Sequence, residues 1–124
     1  MPRPRPRHKL LLLAQNEVHR CLKRLPADLR LAAEECPVSF EEELPEDESH
    51  TDEEVLGLFE GRSRLEAAPQ SLEEMPCIRL FLCNLWAFAG EDPRYYRWEV
   101  SKTYLHELGH YLGWDAEEVE MLGL

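Results

Sequence analysis

His106, Glu107 and His110 stand in the pattern H-E-x-x-H, and Gly113 follows the second histidine by three positions. On a helix, residues four apart lie one turn up the same face, so His106 and His110 can aim two imidazole nitrogens at one point. That is the bite a tetrahedral Zn²⁺ takes from two of its ligands. Glu107 stands beside the first histidine, where its carboxylate can take a proton from a water polarised by the metal. The chemistry implied is metal-assisted hydrolysis with Glu107 as general base. Gly113 suits a helix that stops just after the second ligand, because glycine accepts the left-handed conformation of a C-cap. The turn beyond it can swing the chain back toward the metal.

The flanks must supply that helix. Residues 98–105 contain neither proline nor glycine, so a helix can run through them into the motif. Asp92 and Pro93 read as its cap and first position. Ser101, Leu105, Leu108 and Leu112 recur at helical spacing and predict a mostly apolar stripe, with the histidines beside it. Tyr104 and Tyr111 are candidates to steady an oxyanion, although packing is the favoured role for Tyr111.

Upstream, residues 10–25 predict a first helix ended by Pro26, with Leu11, Leu12, Asn16, Val18, His19, Leu22 and Leu25 on one side. His19 has no partner in spacing and is read as a surface or core residue, not a ligand. Leu29, Leu31 and Ala33 alternate, which predicts a strand over 29–38 that Pro37 places at a sheet edge or turn. In residues 41–54, nine of fourteen are acidic, which predicts an exposed acidic loop that also carries His50. Residues 55–61 read as a second strand closed by Gly61, 65–74 as irregular chain, and 78–83 as a central third strand. Residues 84–89 predict a helical turn stopped by Gly90. Asp115, with Glu118 three positions on, predicts a final short helix ended by Gly123.

At 124 residues the chain is expected to form one domain, over 10–124, behind a flexible basic arm at 1–9 in which proline alternates with arginine. The net charge of −11 argues against nucleic-acid binding. No apolar run reaches the length of a membrane span. Cys21, Cys36, Cys77 and Cys83 form no C-x-x-C pair. They are read as small apolar residues in a reducing compartment rather than as a zinc ribbon or disulfides. A cytoplasmic monomer is expected.

The order of elements resembles the small bacterial family of minimal zincin-like metallopeptidases. The resemblance rests on residues 55–61, on the strand at 78–83, and above all on the run 103–113 with the Gly123 ending. It implies an α+β fold, in which a small mixed sheet packs against the helix that carries the motif, with an N-terminal helix and a short C-terminal helix. It also implies zinc-dependent hydrolysis of a peptide or protein substrate. The family's pattern, H-E-x-x-H-x-x-G-x-x-D, ends on an acid where this chain has Ala116. Glu117 or Asp115 is the expected third ligand beside His106 and His110. Two other readings stay open: a weak or inactive zincin-like module for interaction or metal binding, and a metal-dependent RNA hydrolase.

Overall fold

The computed structural model describes residues 6–45, 48, 55–114 and 117. His50, Asp115, Ala116, Glu118 and Gly123 lie outside them, and so does nearly all of the expected C-terminal helix. Among the described residues, four α-helices and three strands follow in the order α1 (Pro6–Arg24), α2 (Ala27–Glu34), β1 (Val38–Glu41), β2 (Gly57–Glu60), β3 (Cys77–Phe81), α3 (Leu82–Phe88) and α4 (Pro93–Leu112), with a short 3-10 turn at Leu72–Glu74 before β3. The architecture is α+β, with a small mixed sheet.

Helix α1 begins at Pro6 rather than Leu10, so it takes in the last four residues of the expected arm. Proline is tolerated there because its missing N–H would have no partner in the first turn. The helix buries Leu10, Ala14, Val18 and Cys21, and Leu25 just past its end is buried too. Leu12, expected on the inner side, is 60% exposed. The buried positions recur every three or four residues, and Leu12 falls between them. Past its end, the Arg30 guanidinium donates to the carbonyls of Leu22, Lys23 and Leu25 at 2.8–3.1 Å. Those are the acceptors a helix C-terminus leaves open.

The expected strand over 29–38 is a correction. Residues Ala27–Glu34 form α2, and the strand begins only at Val38, after Pro37. Alternation in 29–33 is outweighed by a run of good helix formers, Ala, Leu, Arg and Glu, behind Pro26. Ala32 and Ala33 are both buried while Leu31 is 68% exposed, which is a helical pattern and not that of a strand. Glu41 likewise belongs to β1 rather than to the acidic loop.

β3 is the central strand, pairing parallel with β1 and antiparallel with β2. It stops at Phe81, two residues short of the expected Cys83, where α3 begins. Ile78 and Leu80 point into the core shared with α1 and α4 and are fully buried. Arg79 and Phe81 point to the other face, where the guanidinium lies 5.2 Å from the centre of the Phe81 ring. There Arg79 meets Glu41 of β1 at 2.7 Å, Glu60 of β2 at 2.8 Å and Glu48 at 2.9 Å. All four cysteines are free thiols, and Cys21 and Cys36 are buried. No helix among the described residues is long and apolar enough to cross a membrane.

Candidate metal centre

Helix α4 is fixed at both ends. Asp92 Oδ1 accepts from the backbone N–H groups of Arg94 and Tyr95 at 2.8 and 3.2 Å, with Pro93 in the first turn. At the far end Gly113 adopts φ +80°, and the Trp114 N–H donates to the Gly109 carbonyl at 2.7 Å. A Cβ on Gly113 would also run into the Leu65 side chain. The expected stop after the second histidine is therefore present, and only glycine fits it comfortably.

The buried face of α4 carries Tyr96, Val100, Tyr104, Leu108, Tyr111 and Leu112. It is wider than the expected stripe: Leu108 and Leu112 are buried, while Ser101 and Leu105 are half-buried. His106 and His110 emerge on the exposed side, and Glu107 is half-buried between them and the sheet. The two imidazole rings stand edge to face with centres 5.0 Å apart. One ligand atom from each of His106, Glu107 and His110 lies within 4.8 Å of the others. The two imidazoles are a ligand pair for zinc, and the Glu107 carboxylate stands beside them as the base. Exposed rings can turn about their side-chain torsions to converge on one ion, and their exposure leaves room for its remaining ligands. The residues present fit the metal. Glu117 is helical and exposed, and stands outside this three-residue group.

Strand β2 forms the other wall. A Cβ on Gly57 would come within 2.7 Å of Thr103 Cγ2 on α4 and 3.1 Å of the Arg79 carbonyl. Two residues on, the Phe59 ring sits 6.0 Å from that of Tyr111. The Phe59 amide also faces Glu107; two strand residues advance about 7 Å and the four helix residues from Thr103 to Glu107 about 6 Å, so β2 runs alongside α4 in the same direction. The Leu56 carbonyl accepts from Phe81 N–H at 3.0 Å. In an antiparallel pair the bonded positions alternate. Leu58 and Glu60 therefore bond to β3, and the backbone groups of Gly57 and Phe59 face the free edge. Burial raises the Glu107 pKa above the usual carboxylate range. Positive charge on His110 and His106 and the Phe59 amide pull against that rise.

The two tyrosines take no part in this centre. Tyr111 donates its hydroxyl to Glu35 at 3.0 Å, and Tyr104 is enclosed in the core near Cys21 and Cys36. The role of Gly57 and the Phe59 amide was missed in the sequence. The one available signal was a glycine inside an apolar strand, which marks a close backbone approach.

No curated protein matches this chain. Residues 27–124 match the model of a family described as zincin-like metallopeptidase. That span holds the whole constellation of motif helix, sheet and open strand edge, and the chain belongs to the zincin-like metallopeptidase family.

Proposed function

We propose that the protein is a zinc-dependent peptidase that hydrolyses an extended peptide segment laid along β2. The observation that carries this reading is the position of Glu107, between the paired histidines and an edge of β2 that pairs with no other strand among the described residues. An unpaired edge offers main-chain donors and acceptors to another extended chain. The Gly57 backbone and the Phe59 carbonyl would align a peptide there with one of its carbonyls over the histidine pair. Zn²⁺ held by His106 and His110 would supply Lewis-acid polarisation of the scissile carbonyl and of the attacking water. Glu107 takes that water's proton and returns it to the leaving amine. Partial burial raises its proton affinity, which suits a base that must also deliver the proton onward.

Glu117 or Asp115 completes the metal's protein ligands in this reading, since Ala116 has no donor atom. The family pattern's missing acid also favours a second reading, in which the fold persists as a metal-binding interaction module without turnover. RNA hydrolysis is disfavoured by the net charge of −11, which repels a phosphate backbone. The free thiols fit a reducing compartment, and the cytoplasm is the proposed location.

A mixed library of unstructured peptides, incubated with the zinc-loaded protein and with Glu107→Gln, tests the reading. Hydrolysis is expected from the wild type, and Glu107→Gln should be slower by about 10²-fold or more with its zinc retained. Equal rates would refute the role of Glu107. The absence of any cleavage would favour the interaction module.

A further inference from the structure

Trp98, Lys102, His106 and His110 follow one another at four-residue spacing and are all exposed. Residues four apart share a face, so they form one line along the outer side of α4 that ends in the metal centre. Trp98 is 56% exposed and Tyr95, beside it, 64%. The opposite face of the same helix meanwhile supplies much of the core. The Lys102 ammonium lies over the Trp98 indole, 4.4 Å from the ring centre.

Lys102 differs from the ion-paired cations of the molecule in what holds it. Arg20, Arg62 and Arg79 each pair with a carboxylate. Among the described residues Lys102 pairs with none, although the chain carries 25 acidic groups against 14 lysines and arginines. An aromatic ring restrains the side chain without cancelling its charge. The result is an oriented, un-neutralised cation close to the candidate centre of an acidic protein.

We propose that Lys102, held by Trp98, is a specificity-determining group that receives a carboxylate of the peptide substrate, about three residues from the scissile bond. This rests on the peptidase reading above. Trp98 and His106 are eight positions apart, about 12 Å along the helix axis. Placing the ammonium over the indole midway between the levels of residues 98 and 102 sets it about 9 Å along the axis from the level of His106. An extended peptide advances about 3.3 Å per residue, so its third residue reaches that level. The carboxylate is either an acidic side chain at that position or the chain's own C-terminus. The ammonium binds both by the same charge-assisted hydrogen bond.

Peptides sharing one neutral core decide the matter. One set is C-terminally amidated and carries Glu, Gln or Lys three residues to either side of the scissile bond. A further peptide ends there in a free carboxylate. The readout is kcat/KM relative to the Gln peptide, for wild type, Lys102→Met and Lys102→Glu, at low salt and in 0.5 M NaCl. Affinities of the same peptides for the Glu107→Gln forms of these proteins are measured by fluorescence anisotropy.

On one side only, the Glu-to-Gln ratio should fall about threefold in Lys102→Met and about tenfold in Lys102→Glu, and the fall should shrink at high salt. The free-carboxylate peptide shows whether the terminus serves as well as a side chain. Ratios that do not change with the residue at 102 overturn the proposal. If no peptide is cleaved, the peptidase reading falls. The anisotropy series still decides on Lys102, because equal Glu-to-Lys affinity ratios in all three proteins overturn its role.

Discussion

The two histidines and the glutamate need only their own helix to meet. Positions 106, 107 and 110 converge because 3.6 residues make a turn, so their proximity was legible before any tertiary structure was known. Nothing so local specifies the remaining ligand. Glu117 is exposed and outside the three-residue group, and its reach depends on the turn beyond Gly113 rather than on a helical repeat. The packing role expected of Tyr111 is what the structure has, whereas Tyr104 was illegible for a related reason. Helical phase places Tyr104 and Tyr111 on a face, but only the packed neighbours, Glu35 among them, show that this face is the core. Zinc titrations separate the contributions. His106→Ala and His110→Ala should each weaken binding by about 10²-fold or more, because a two-residue bite is reduced to one. Ala116→Asp should tighten binding if Glu117 and Asp115 leave a position open. If one of them fills it, Glu117→Ala or Asp115→Ala should weaken binding and Ala116→Asp should change it little. Undiminished zinc in both histidine variants would exclude the centre itself.

Elements differ in how far their sequences betray them. Helix α4 announces both ends, Asp92 with Pro93 at one and Gly113 at the other, and the structure has the same ends. Helix α2 misleads because Leu29, Leu31 and Ala33 alternate within an eight-residue helix. A stretch so short fits two periods about equally well, and propensity decides between them. Strand β2 was legible as a strand, but its place against α4 was not, since that contact joins residues 57 and 103. The tightness of the contact gives a test. Gly57→Ala puts a methyl 2.7 Å from Thr103 Cγ2 and 3.1 Å from a backbone carbonyl of β3. Thr103 is β-branched and stiff about its first torsion, and the carbonyl on β3 blocks retreat in that direction, so the strand must move away from α4. Urea unfolding should show a loss of about 1–3 kcal/mol, the usual cost of overpacking a close contact. The shift should carry Phe59 away from Glu107 and lower peptide turnover beyond what lost stability explains. Unchanged stability in Gly57→Ala would mean that β2 does not press on α4 as described.

At the scale of the whole molecule the sheet's outer face is held by one guanidinium. Arg79 joins both outer strands and Glu48 across the face opposite the helices. Its hydrogen bond holds the Glu41 carboxyl below the usual range; partial burial opposes that shift, and Ser39 adds to it. Arg79 itself is pushed further toward the charged form, first by Glu41 and then by Glu48, so the carboxylates are the groups that titrate. Because Glu41 has a lower pKa folded than unfolded, the unfolded chain binds more protons in the acid range. Its contribution is fully present above the unfolded value of 4.5 and is lost as pH falls through the folded one. The chain's net charge of −11 acts in the opposite sense, since protonation there relieves repulsion. The wild-type curve alone therefore does not isolate the clamp; the difference from Arg79→Met does. Near pH 7 the variant should be less stable by about 1–2 kcal/mol, a modest figure because these pairs are partly exposed to solvent. As pH is lowered from 5 toward 3, the two proteins should converge in urea midpoint, and raised salt should narrow the gap at pH 7. A gap that stays constant from pH 7 to 3 would show that Arg79 acts through packing on Phe81 and not through its carboxylates.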